Sequence, residues 1–595
     1  MKAFILLPLL GMAVLCSASG KPPADIEDLF NGFVREYLEI SPITATKLGL
    51  PTAAGFKIRL DRLDDISDRG QDRCLAFFRK YRDWLRQYDR KSLTASQAVL
   101  ADLLAWYLDM SIAGDQWRYH RYLIDPMFGF HNELTTLMTE HHPLRTPADA
   151  EAYVLRLKAY RPYIGQLLDQ LTIREQKRLL PPTAIVEAVD TVLAEFVSTP
   201  AIDNILFTSF QDRISRIPGL SVVRQQQLGQ AVIRTIQDDI YPSYRRVREY
   251  LQKLEPKTTA DDGVWHLTDG DDYYAYCLRF HTSTSMTPDE VHDLGLAEVE
   301  RIEQEIMALY RQLGIEGSAY REMMGNYWKT YLQPDNVQIY FPDNEEGKLQ
   351  TLDAYQAIID TMEARLPELF STLPRARVRA ERVPAFKEAT AGTYYEQPKL
   401  DGSTPGIFYA NLGYRHVRPN MQTLTYHEAI PGHHLQIALE QESPNTRLFK
   451  ALIFFTGYVE GWALYAERLA KDYGFYADIH SRLGYLRSEL FRAVRLVVDT
   501  GLHRKRWTRE QVKEYMKAHA GWASDAEIDR YTVWPGQACA YKVGELTFIR
   551  LREQARQALA DRFDIRTFHS AVLTYGAMPL DQTERQVVDF IAGQK

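Results

Sequence analysis

Apolar residues at helical spacing recur along almost the whole chain, and this pattern limits its fold more than any other feature. Between Asp25 and Ile40, the residues Ile26, Leu29, Phe30, Phe33, Tyr37 and Leu38 repeat as one buried face of a helix requires. Similar runs occupy 73–88, 96–112, 147–173, 185–196 and 222–254. Pro181-Pro182, Ser198-Thr199-Pro200 and Ile217-Pro218-Gly219 punctuate them. At Thr287-Pro288-Asp289-Glu290 a helix start is spelled out: Thr287 as cap, Pro288 as first helical residue, Glu290 as reciprocal partner. The expected class is mainly α. A chain of 595 residues exceeds one ordinary core. The polar stretch 255–272 is the best internal boundary. It divides an N-terminal helical region, 20–258, from a C-terminal helical region, 259–595.

The first residues depart from this pattern. Lys2 is followed by an apolar run from Ala3 to Leu15, then by Cys16, Ser17, Ala18, Ser19 and Gly20. That order predicts a secretory signal peptide over 1–19, cleaved near Ser19 or Gly20, and hence an exported protein, periplasmic or extracellular. Lipid attachment at Cys16 is the alternative, although Leu15 is not the small residue a lipobox favours. No later apolar run is long enough to span a bilayer. With 45% hydrophobic and 25% charged residues the body is globular. A net charge of -7 without a basic block argues against nucleic acid as a partner. Cys74, Cys277 and Cys539 are isolated and make no disulfide framework.

Chemistry concentrates late in the chain. Ile407–Leu412 reads as a short strand after a turn, and an edge strand beside a metal can hold an extended substrate through its backbone. Tyr409 and Asn411 are its candidate substrate contacts. Next comes His427-Glu428-Ala429-Ile430-Pro431-Gly432-His433-His434. A zinc helix ordinarily places two histidines one turn apart around a glutamate base. Here the spacing is six or seven residues, and seven on a straight helix means about 10.5 Å of rise, too far to share one ion. Pro431 and Gly432 must therefore break the helix. His427 and His433 are the expected ligands, with His434 the alternative to His433, and Glu428 is the expected general base. Within Gly457–Glu467, Glu460 is the candidate third ligand. Glu467, two turns on, is either an acceptor behind a ligand histidine or a solvated neighbour of Arg468.

Further on, Arg495, Asp499 and His503 fall at successive helical turns. His503 is a candidate oxyanion donor oriented by Asp499, and Arg495 a candidate carboxylate binder, or all three form a structural polar stripe. Trp534–Lys542 reads as a loop entering a helix, with Tyr541 a second candidate to stabilise the oxyanion and Gln537 or Lys542 possible substrate contacts.

Taken together, the strings HEAIPGHHLQ and EGWALYAE, with weaker matches from Ser41-Pro42 to Gly544, resemble the bacterial family known as domain of unknown function 885. The resemblance implies a helical body related in plan to zinc peptidases with a glutamate third ligand, such as angiotensin-converting-enzyme-like and thimet-oligopeptidase-like enzymes. It also implies a deep cleft between helical halves. A widened histidine spacing like that of dipeptidyl peptidase III fits the same plan. The expected activity is zinc-dependent hydrolysis of peptide or peptide-like amide bonds. The rival expectations are an amidase for modified or cell-wall-derived substrates and a non-catalytic exported binding protein.

Overall fold

The computed structural model describes residues 20–49, 56, 58–384, 388, 392–399 and 404–594. The leader expected over 1–19, including Cys16, lies outside the described residues. Helices dominate from Ile26–Ile40 to Leu580–Gln594, and the strands form one three-stranded sheet. No helix among the described residues is long and apolar enough to cross a membrane. The helix Pro288–Gln312 starts as its sequence prescribes, with Thr287 and Glu290 bonded reciprocally in a capping box.

The cores do not divide the chain at 258. Ile26, Phe30, Phe33 and Phe77 pack into the same cluster as residues 278–591. A second cluster is built from Ile43 and residues 124–251. The first helices thus cross back to the C-terminal half: Phe30 lies 5.0 Å from Phe449, and Arg447 pairs with Glu27 at 2.6 Å. Each fully buried phenylalanine contributes about 1.5–3 kcal/mol, which favours this return. Periodicity marks the buried face of a helix but does not say what covers it.

The sheet contains β1 (Val378–Arg382), β2 (Tyr394–Glu396) and β3 (Gly406–Ala410) in the order β1-β3-β2. β1 runs parallel to β3 and β2 antiparallel to it. The strand carrying Tyr409 is therefore central, not the expected edge. Both of its hydrogen-bonding sides are taken, so it cannot accept an extended substrate. Tyr409 packs on Tyr394 at 5.1 Å. Asn411, just beyond the strand, is buried and holds the following turn through Gly413 N–H at 2.8 Å and the Glu388 carbonyl at 2.8 Å. Asn411 is thus engaged by the chain itself, and Tyr409 packs within the sheet.

Candidate metal centre

The helix Arg418–Glu428 stops where Pro431 and Gly432 require, and a new helix, His433–Glu442, begins at once. Ala429 and Gly432 take up the turn in non-helical conformations, and the Ile430–Pro431 peptide is cis. The turn is fixed by His434 N–H donating to the Ala429 carbonyl at 3.0 Å and by the Trp462 indole donating to the Pro431 carbonyl at 2.9 Å. It folds so tightly that a Cβ on Gly432 would lie 1.9 Å from the His427 carbonyl oxygen. This fold-back brings the rings of His427 and His433 to 4.8 Å, edge to face. His434 points the other way: its Nε2 donates to the Ala376 carbonyl at 2.9 Å and its Nδ1 accepts from the Tyr395 hydroxyl at 3.0 Å. With both nitrogens engaged His434 does not join the group, and His433 is the histidine that faces His427.

Glu460 completes the group from the helix Thr456–Asp472. Its Oε2 lies 3.5 Å from Nε2 of both His427 and His433. Ligands each about 2.1 Å from a tetrahedral zinc stand roughly 3.4 Å apart, and these two distances match that value. Among the described residues, these three form the set of metal-ligating side chains that converge, all within 4.8 Å. Burial opposes charge on Glu460, yet the two histidines outweigh it and hold its carboxyl well below the usual range. Glu467 stands behind His427, accepting from its Nδ1–H at 2.8 Å, so the solvated alternative for Glu467 is excluded. Thr423 and Ser488 donate to its other oxygen. Burial disfavours a charged imidazole at His427, but Glu460 and Glu467 outweigh it and push its pKa up to about 9. A divalent cation would take over from that proton, with Glu467 fixing the ring so that Nε2 faces the ion. Glu428 is half-buried and, among the described residues, makes no hydrogen bond or ion pair.

A second wall comes from the helix Ala540–Leu559. It meets the Glu460 helix so closely that a Cβ on Gly461 would lie 2.4 Å from Gly544 Cα, and only paired glycines allow that approach. Tyr541, one turn before Gly544, is thereby brought near Glu460. Burial, then the Glu460 charge, raise the Tyr541 pKa, so its hydroxyl keeps its proton. The hydroxyl accepts from Arg530 at 3.1 Å, and the same nitrogen donates to Gln537 Oε1 at 2.7 Å. Sequence reasoning missed Arg530, because no spacing links a residue before the Trp534 loop to one after it. Thr423 was also missed, but it sits one helical turn before His427 and was findable.

Other candidates lie elsewhere or are already occupied. His503 is fully buried; its Nδ1 accepts from Val264 N–H at 3.1 Å and its Nε2 donates to the Tyr531 carbonyl at 2.9 Å. It has no proton to offer a substrate, and it is withdrawn from the oxyanion role. Asp499 does not orient it; its carboxylate accepts from the Tyr274 hydroxyl at 2.6 Å and Gly536 N–H at 3.0 Å. Arg495 is neutralised by Glu527 at 2.7 Å, with its guanidinium over the Tyr541 ring at 4.9 Å. Lys542 is wholly buried among Glu489, Glu545 and Glu298, which makes it structural.

Asp499 carries a prediction about stability. Burial pushes its pKa up to about 7, the hydrogen bonds from Tyr274 and Gly536 offsetting only part of this. The folded state keeps a proton that the unfolded chain releases near pH 4, so this contribution is complete below about pH 4 and lost as pH rises to about 7. Asp499→Asn never ionises and retains an acceptor for Tyr274 and Gly536. Relative to wild type, its unfolding free energy should rise by about 2–4 kcal/mol between pH 4 and 7. Chemical denaturation across that range reads the difference, and a gap that stays constant with pH would remove Asp499 as its source.

Two solved structures share this architecture. A candidate lipoprotein of Colwellia psychrerythraea superposes with a TM-score of 0.89 at 28% identity, covering 96% of this chain and 99% of its own. A candidate lipoprotein of unknown function from Shewanella oneidensis gives a TM-score of 0.70 at 18% identity, over 95% and 100% of the two chains, a likeness of fold. No curated protein matches the chain in sequence. The sequence profile described as bacterial protein of unknown function (DUF885) matches residues 42–587, and the chain belongs to that family.

Proposed function

We propose that this protein is an exported, zinc-dependent hydrolase of peptide or peptide-like amide bonds. The observation that carries the reading is the convergence of His427, His433 and Glu460, with Glu460 3.5 Å from each histidine, next to Glu428, which is unpaired among the described residues. When bound, zinc supplies Lewis acidity and makes a water easier to deprotonate at neutral pH. The chain's own residues do the rest. Glu428, adjacent in sequence to a ligand, takes a proton from the attacking water and returns it to the leaving nitrogen. Tyr541 keeps its proton and donates a hydrogen bond to the substrate oxygen as negative charge develops there. Glu467 keeps the His427 ring in one tautomer and one orientation. Both structural neighbours are described as candidate lipoproteins, which supports export and lends weight to lipid attachment at Cys16.

The test is elemental analysis of the purified protein, followed by cleavage of a mixed peptide pool before and after chelation. Stoichiometric zinc with chelator-sensitive cleavage is the expected result. Protein that takes up no zinc would instead be a binding protein. Cleavage confined to acylated amino acids would make it an amidase. A finer prediction concerns Glu467→Gln, which leaves every ligand in place but weakens the acceptor behind His427. Zinc affinity should fall about 10–100-fold, as for other partners of ligand histidines, and competition with a chromophoric chelator measures it. Unchanged affinity would reduce Glu467 to a packing role.

A further inference from the structure

The wall beside the metal centre places two guanidinium groups around one carboxylate. Arg495 and Arg530 share a single carboxylate, Glu527, at 2.7 and 3.8 Å. Arg495 places two nitrogens on it and is satisfied. Arg530 is not satisfied. Its Nη2 holds the neutral Gln537 and Tyr541, and its Nε is buried without a partner. Three acids on the neighbouring elements are committed elsewhere. Asp529 is bound by Arg509 at 2.6 Å, Asp499 lies under Tyr274 and Gly536, and Glu460 faces the two histidines. A buried guanidinium donor left unmade costs about 1–3 kcal/mol, and a carboxylate satisfies such a fork with two parallel bonds.

We propose that Arg530, with Gln537 beside it, is the subsite for a carboxylate of the substrate, so that the enzyme cuts peptides close to a free C-terminus. Tyr541 accepts a hydrogen bond from Arg530 and lies near Glu460. The Gly461–Gly544 contact sets the Tyr541 helix against the Glu460 helix, so a carboxylate on Arg530 lies along the wall beside Glu460. This choice moves anion recognition from Arg495, which Glu527 already neutralises, to Arg530. The exo-action rests on the hydrolase reading above; carboxylate binding does not.

The experiment pairs an equimolar pool of tripeptides bearing free C-terminal carboxylates with the same pool amidated. Binding to the chelated full-length protein is measured by calorimetry, and cleavage by the zinc-loaded protein is measured by mass spectrometry. Wild type should prefer the acids by roughly 10- to 100-fold, the range expected of a charged hydrogen bond. Arg530→Gln should bring that ratio close to unity while zinc content is retained, and Arg530→Lys, which keeps the charge but not the fork, should fall between. Equal treatment of acids and amides by wild type would overturn the subsite, whether or not the variants fold. Preference for acids surviving in Arg530→Gln would overturn it as well. A protein that binds acids through Arg530 yet cleaves nothing would lose the hydrolase reading and keep the subsite. A zinc hydrolase indifferent to the carboxylate would do the reverse.

Discussion

Glu428→Gln should abolish most hydrolysis while leaving zinc in place. The carboxylate makes no hydrogen bond or ion pair among the described residues, so the isosteric amide breaks no contact of the fold. Its effect on stability should stay within about 0.5 kcal/mol, as for substitutions away from packed or paired sites. His427, His433 and Glu460 are untouched, and zinc content should remain stoichiometric. Turnover should drop by about 10²–10⁴-fold, the usual contribution of a positioned acid–base group. The loss should be mainly in kcat, because an amide can still hold a water by a hydrogen bond but cannot take its proton. Parallel measurements of zinc content, thermal midpoint and turnover decide the matter. Unimpaired turnover would remove Glu428 from the base role. Loss of zinc with loss of activity would make it a ligand instead.

What could be read from the sequence divides along physical lines. Helices announced themselves through periodicity and capping, as at Thr287-Pro288-Asp289-Glu290. The three converging side chains were also legible, because His427 and His433 share one short segment and Glu460 lies in a distinctive apolar one. The bend was legible for a different reason: Pro431 and Gly432 cannot continue a helix, and without a bend the spacing makes no sense. Illegible were relations between distant segments. Nothing in Ile26–Ile40 says that it packs under Phe449, nor in Gly406–Ala410 that strands flank it on both sides. Arg495, Asp499 and His503 illustrate the same limit. Their helical spacing is real, but Glu527, Gly536 and the Tyr531 carbonyl, each from another segment, determine what they do. Arg530 became visible only when the helix Ala540–Leu559 placed Tyr541 against it.

The residue most exacting in its demands at this site is not a ligand. Gly432 has a negative φ, so its need for glycine does not come from a left-handed backbone. The need is one of distance: an added Cβ would lie 1.9 Å from the His427 carbonyl oxygen and 2.4 Å from that of Tyr426. These are main-chain atoms of the helix that carries His427, and they cannot yield as the end of a flexible side chain would. Gly432→Ala must therefore drive the helices Arg418–Glu428 and His433–Glu442 apart, and with them His427 and His433. The cost in stability should be about 1–3 kcal/mol, typical of an overpacked interior. The larger effect should fall on zinc. His433 and the Glu460 carboxylate stand 3.5 Å apart, and a shift of about 1 Å would leave a tetrahedral ion short of one partner. Zinc affinity should fall by more than the roughly 10–100-fold expected when only a partner behind a ligand is weakened. Gly325→Ala is the control, since its Cβ would meet nothing within 4 Å in the helix Tyr320–Tyr331. That change should stabilise the protein by about 0.5–1 kcal/mol and leave zinc bound. A Gly432→Ala protein that binds zinc like wild type would show that the fold-back does not set the distance between the two histidines, and the three-ligand site would lose its geometric basis.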